Sequence, residues 1–180
     1  MTEQAISTIN FLFSLGTLGF IALSVFLLIG IFSKDKGPAF AWVAQNSLLL
    51  VVAISIAGAG GSLIYQYVIG FAPCVLCWYQ RIVLYPIAII SLVAIVKKHS
   101  HVEVSSYAMV LAIIGLVLSA YHNFEKIIGK DLISCEAFGA SCLQSYVKGF
   151  GFIDIPVMSL VFFVTIILII LTRKRFKDSI

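Results

Sequence analysis

The residues of this chain best suited to chemistry are its four cysteines, which fall into a C-x2-C pair, Cys74 and Cys77, and a C-x6-C pair, Cys135 and Cys142. Local pairing within each set is the simplest arrangement, although four cysteines allow three connectivities. Such residues can act as structural staples, as zinc ligands or as partners in thiol–disulfide exchange. A C-x2-C disulfide closes a loop too small to gain much unfolded-chain entropy and tends to be strained, so it is a poor staple and a good exchange partner. The C-x6-C spacing does not suit a compact zinc site.

The surroundings of the first pair add to the case. Pro73 precedes Cys74, and an apolar run follows Cys77; proline is favoured where a helix begins, so the spacing predicts that Cys74 and Cys77 sit at a helix N-terminus. Unpaired backbone N–H groups and the positive end of the helix dipole stabilise a thiolate there. Arg81 lies four residues after Cys77 and seven after Cys74, which puts all three on one helical face. A guanidinium at a membrane boundary must snorkel or find a partner. Arg81 is therefore either a lipid-phosphate anchor or a cation that stabilises negative charge on an electron acceptor.

Membrane helices must position these residues. Of the 180 residues, 61% are hydrophobic and 11% charged, against about 25% charged in a soluble domain. Five runs have the length and polarity of a membrane span: Phe11 to Phe32, about Gln45 to Ile69, Cys77 to just before Lys97, about Val104 to Tyr121, and Pro156 to Thr172. The first exceeds a signal-peptide core and lacks preceding Lys or Arg, which reads as a retained helix. Strand-like alternation is absent, so the expected fold is all-α, a polytopic bundle.

Eight of the twelve Lys and Arg (Lys34, Lys36, Lys97, Lys98, Arg173, Lys174, Arg175, Lys177) fall on one side of such a bundle and four (Arg81, Lys126, Lys130, Lys148) on the other. The positive-inside rule then predicts an N-out, C-in topology, with all four cysteines on the outward face. An oxidising compartment there permits disulfides and further disfavours zinc; no metal is expected. The longest connector, about 33 residues between Tyr121 and Ile155, is the place for an aqueous partner. A net charge of +4 needs no nucleic acid to explain it.

The stretch from Gly61-Ser62-Leu63 through Cys74-Val75-Leu76-Cys77-Trp78-Tyr79-Gln80-Arg81 to Tyr85-Pro86 closely resembles the DsbB family, disulfide bond formation protein B, including its shorter-loop relatives. Cys135, Cys142 and the run Gly151-Phe152-Ile153-Asp154-Ile155-Pro156 resemble that family's second loop and its exit. The resemblance covers roughly Gln45 to Thr172. It divides the chain into residues 1–44, an extra transmembrane helix and cytoplasmic loop; 45–172, a four-helix redox domain; and 173–180, a basic tail. VKOR-type proteins run a similar reaction with the loop cysteines before the C-x2-C, the reverse of the order here.

The resemblance implies a thiol:quinone oxidoreductase in the cytoplasmic membrane of a prokaryote. It would oxidise a DsbA-like extracytoplasmic thiol oxidase and pass two electrons to ubiquinone or menaquinone. On that pattern Cys135 forms the mixed disulfide with the partner, Cys142 hands electrons on through a disulfide with Cys74, Cys77 is the thiolate facing the quinone, and Arg81 is the quinone-proximal arginine. The chain departs from the family in its additional first span, which reverses the side of the N-terminus, and in the closeness of Cys135 to Cys142.

His122 is expected at the outward end of the fourth span, either donating to a quinone oxygen or capping the helix at the interface. His99 and His101 read as a solvated cytoplasmic turn. Gly58-Ala59-Gly60-Gly61-Ser62 would let the second span approach a neighbour closely. Leu143, Tyr146, Val147 and Phe150 recur at helical spacing and predict a short amphipathic segment on the membrane surface, holding the second loop near the first.

Overall fold

A computed structural model describes residues 3–33, 37–97, 101–132 and 140–177; Lys34, Lys36, Lys98, His99 and Cys135 lie outside the described residues. The helices are α1 (Glu3–Phe32), α2 (Pro38–Gln45), α3 (Ser47–Leu63), α4 (Val75–Lys97), α5 (His101–Ile128) and α6 (Ile155–Lys177), with a π-helical turn, Ile64–Val68, continuing α3. Five are long and apolar enough to cross a membrane. The all-α bundle expected from the uncharged runs is thus the architecture found.

The last helix organises the rest: α6 packs against α1, α2, α3 and α5, while α4 fills the space between α3 and α5. Leu27, Val51, Ile87, Ala112, Phe163, Ile166 and Ile169 form its core. A Cβ at Gly115 would run into the Phe163 ring, so this glycine permits α5 and α6 to meet. The opposite faces leave Ile89, Val117 and many other large apolar side chains exposed, which is the surface that lipid demands of a bundle with its backbone satisfied internally.

His101, read as part of a turn, begins α5, and α6 runs past Thr172 to Lys177; four further segments differ from the sequence expectation. The first span begins at Glu3, and its 30 residues reach about 45 Å at 1.5 Å per residue, beyond the roughly 30 Å hydrocarbon thickness. Residues 38–45, expected as loop, form α2; Pro38 supplies a favourable first turn, and Asn46 ends the helix by donating its side-chain amide to the Trp42 carbonyl at 2.9 Å. The fourth span continues past Tyr121 to Ile128. Beyond Tyr121 the helix carries Glu125, which accepts from Leu132 N–H at 3.0 Å, and Lys126, which pairs with Asp154, so both polar side chains are accommodated within it.

The fourth difference lies in residues 143–150, which are not helical. Phe150 adopts φ 50° and Gly151 φ 83°, and a bridge joins Gly149 to Ile153; together they reverse the chain. The expected consequence holds by another route, since Tyr146 stacks on Phe71 with ring centroids 4.4 Å apart, joining the second loop to the first.

The loop's exit is fixed locally. Asp154 caps α6, accepting from Val157 N–H at 3.1 Å, and Pro156 sits in the first turn, the pairing of residue types that starts a helix. Asn123 of α5 donates to the Pro156 carbonyl at 3.0 Å, and Lys126 reaches Ser145 at 2.8 Å. Phe11 of α1 meets Phe150 at 5.9 Å. The beginning of α1 and both cysteine-bearing connections therefore share one end of the bundle, while Arg173 donates to Ser47 at 3.3 Å at the other.

Candidate redox site

Cys74 stands immediately before α4, its carbonyl accepting the Trp78 N–H at 3.2 Å, and Cys77 is in the first turn. Helical spacing brings their sulfurs to 3.4 Å. The expected pairing is thus present as a contact, but both cysteines are free thiols, so the pair is in its reduced form. Cys142 is disulfide-bonded. It packs with Cys74, Val75, Leu76 and Ala140 in one apolar cluster, joined by Cys77 and Tyr121.

His122, 2% exposed, joins the two segments. Its Nε2 lies 3.1 Å from the Cys142 carbonyl oxygen and 3.9 Å from Cys74 Sγ. A carbonyl only accepts, so Nε2 carries a proton; Nδ1 faces the Gln80 amide at 3.3 Å, which can donate to it or, rotated, accept from it. The alternative of an interfacial helix cap is overturned, because the ring is buried well inside α5. The ligand atoms of Cys74, Cys77 and His122 lie within 4.8 Å of one another, a trio that could hold a metal ion. In this arrangement, however, Nε2 offers a proton and not a lone pair.

The Cys74 thiol is held well below the ordinary thiol range, at about 4. The hydrogen bond shared with Cys77 is the main cause; burial opposes it, and the hydrogen bond and charge of His122 reinforce it. A thiolate stabilised in this way is both a competent nucleophile and a good leaving group.

Arg81, one turn further along α4, is 7% exposed. Its guanidinium turns to α3 and the π-helical turn, donating to Ser62 Oγ, to the Ser62 carbonyl at 2.9 Å and to Gln66 Oε1, and it lies over the Trp78 ring at 5.0 Å. The lipid-anchor alternative expects an exposed side chain, and this one is inside. Three of the five N–H donors of a guanidinium are used by Ser62 and Gln66 among the described residues, leaving two for a ligand.

Cys74, Cys77, Arg81 and His122 all border one cavity of about 120 Å³, otherwise walled mainly by rings and aliphatic groups such as Tyr65, Phe71, Leu84 and Phe162. An engineered apolar cavity of about 150 Å³ takes a benzene ring, so the space is of single-ring size. The expected proximity of Cys74, Cys77, Arg81 and His122 is observed; Cys135 lies outside the described residues.

Sequence reasoning passed over Gln80, Ser62, Gln66 and Phe13, which also border the cavity or hold its residues. Gln80 was within reach of helical spacing, being three residues beyond Cys77. Gln66 was not, because the π-helical turn shifts its direction by a register that periodicity does not reveal.

The family model for "Disulfide bond formation protein DsbB" matches residues 44–172. The chain is similar to the "SPbeta prophage-derived disulfide bond formation protein B" of Bacillus subtilis, 38% identical over 75% of this chain and 93% of the relative. It is also similar to the "Probable disulfide formation protein C 2" of Bacillus anthracis, 34% identical over 78% of this chain and 94% of the relative. The "Disulfide bond formation protein C" of Bacillus subtilis is 37% identical over 66% of this chain and 86% of its own length. No solved structure matches. With its paired thiols at the start of a membrane helix and a match that spans Cys74, Cys77, Arg81 and His122, the chain belongs to the DsbB family, as a multi-pass membrane protein of disulfide bond formation with an oxidoreductase role.

Proposed function

We propose that the protein is a thiol:quinone oxidoreductase that reoxidises a DsbA-type thioredoxin-fold partner and delivers two electrons to a membrane quinone, ubiquinone or menaquinone. The observation that carries this reading is the convergence of the Cys74 and Cys77 thiols, Arg81 and His122 on one partly open, ring-sized cavity within a membrane bundle. A planar ring with carbonyl oxygens needs apolar walls, hydrogen-bond donors at its edge and thiols beside it. The residues present have that chemistry.

In this reading a partner thiolate attacks Cys135 of a Cys135–Cys142 disulfide, forming a mixed disulfide and releasing the Cys142 thiolate. Cys142 attacks Cys74 of the oxidised C-x2-C, forming an inter-loop disulfide and releasing Cys77. The partner's second thiolate then displaces Cys135 from the mixed disulfide and leaves oxidised. Cys135 attacks Cys142, which re-forms the loop disulfide and releases Cys74. Each exchange conserves one disulfide, and the net result moves two electrons from the partner to Cys74 and Cys77.

When bound, a quinone takes up two electrons and two protons, which restores the Cys74–Cys77 disulfide. Arg81 would hold its edge with the two remaining N–H donors, and His122 would hold a proton at Nε2 between Cys74 and the Cys142 carbonyl. The charge distribution favours the N-terminus and cysteines outside and residues 173–180 as a cytoplasmic tail, while the family match and its Bacillus relatives support a prokaryotic cytoplasmic membrane, with residues 45–172 as the redox domain and 1–44 as an added helix and loop. The test is whether the purified protein bleaches an added quinone when supplied with a reduced thioredoxin-fold protein. Catalytic bleaching, one quinone per partner disulfide formed, is the expected result; a partner that stays reduced while quinone is present in excess would reject the proposal.

A further inference from the structure

Helix α1 lies wholly before the family match, which begins at residue 44, yet it contributes to the cavity. Along its length it is docked on α6, with Ser24 and Thr165 hydroxyls 2.8 Å apart and Phe20 against Phe162 at 4.9 Å. Nearer the cysteines its packed face becomes small: Ser14 and Thr17 are buried, and each hydroxyl turns back to its own helix, donating to the Asn10 and Phe13 carbonyls. The one large side chain that this stretch presents to the cavity is Phe13.

Phe13 is seated by two features of the matched region. Gly61 of α3 faces it without a side chain, and a Cβ there would lie 2.6 Å from the Phe13 ring. Tyr65, turned by the π-helical segment, meets it at 5.2 Å between centroids. The contact continues from Tyr65 to Phe71 at 5.8 Å and from Phe71 to Tyr146 at 4.4 Å, so a chain of rings, all of which line the cavity, runs from α1 to the second loop. Without Phe13 this wall would lack its α1 side.

We propose that Phe13 is a specificity-determining wall of the electron-acceptor cavity, and that α1 sets the size of ring the cavity admits. The proposal rests on the quinone reading above. Its subject is a positioning contact with the ring and no part of the thiol exchange.

The test compares the full-length protein with Phe13→Ala, Phe13→Met and Ser24→Ala, using a benzoquinone and a naphthoquinone that carry the same short tail. Dissociation constants are read by quenching of tryptophan fluorescence, beside KM and kcat for each quinone. Loss of the wall should shift the ratio of the two dissociation constants toward the larger ring by about tenfold in Phe13→Ala, the scale on which apolar pockets discriminate. The KM ratio should follow, with the rate of mixed-disulfide formation unchanged. Phe13→Met, which keeps apolar volume, should recover part of the wild-type ratio and serves if the alanine variant does not fold. Ser24→Ala loosens α1 away from the cavity and should leave the ratio alone. A wild-type ratio in both Phe13 variants, or the same shift in Ser24→Ala, would overturn the assignment. Binding of neither quinone to the wild type would instead remove the acceptor reading on which it rests.

Discussion

The two cysteine-bearing segments reach the same site by opposite means. Cys74 and Cys77 are placed by local geometry: one turn of α4 sets the distance between their sulfurs, and the same helix carries Gln80 and Arg81. Cys142 is placed by contacts between elements distant in sequence, with its carbonyl on His122, Ser141 on Asp131 at 2.8 Å, Tyr146 on Phe71 and Lys126 on Asp154. A pair built on a helix holds a fixed position beside the cavity. A segment tied down at several points outside a helix is suited to exchange with a protein in water. On the proposed reading, the first pair would face the electron acceptor and the second the protein partner.

The sharpest way to break this contrast is to remove sulfurs from each segment separately. Cys135→Ser and Cys142→Ser should each abolish oxidation of a protein partner, while Cys74 and Cys77 remain reducible by a small thiol and reoxidisable by quinone. Quinone consumption with dithiothreitol, measured beside that with a reduced thioredoxin-fold protein, separates the two. Unchanged partner turnover in both variants would mean that proteins attack the C-x2-C directly and that the segments do not divide the work.

A smaller effect is expected at Arg81. Ser62 and Gln66 hold its planar fork, and Lys carries a point charge on a flexible stem that does not reproduce it. Arg81→Lys should impair quinone reduction and Arg81→Met more so, through a higher KM or lower turnover worth roughly 2–4 kcal/mol if it resembles loss of one oxyanion donor. Stopped-flow formation of the mixed disulfide should be nearly unaffected. Normal quinone kinetics in Arg81→Met would return this residue to a packing role.

The mildest test concerns how the second segment tunes the first through His122. With its thiol held at about 4, Cys74 stays ionised from neutral pH down to near that value, and its thiolate is lost only as pH falls through it. Its alkylation rate should therefore stay nearly level between pH 8 and about pH 5, whereas an ordinary thiol with pKa near 8.5 loses about tenfold per unit below that value. His122→Ala removes a hydrogen bond and a charge that favour the thiolate, so the fall should begin at higher pH, with a severalfold slower rate at pH 5. Peptide-resolved alkylation at Cys74 provides the profile. Identical profiles in variant and wild type would show that the ring links the segments without affecting the sulfur.

Much of this molecule was legible in its sequence because its strongest signals are local. Uncharged runs of span length announce membrane helices, since no other backbone arrangement satisfies its hydrogen bonds in lipid within one segment. Helical spacing alone puts Cys74, Cys77 and Arg81 on one face, and the side chains are found there. The tertiary structure decided what spacing could not. The fourth span read as ending at Tyr121 because the partners that accommodate Glu125 and Lys126 further on, Leu132 and Asp154, are distant in sequence. His122 read as a helix end for the same reason, and its burial between Gln80 and Cys142 needs three segments to meet. Helical periodicity in residues 143–150 lost to the positive φ of Phe150 and Gly151, which reverses the chain. Phe13 carried no signal, being one apolar residue among many in a lipid-facing helix; only the glycine opposite it and the rings beside it give it a place.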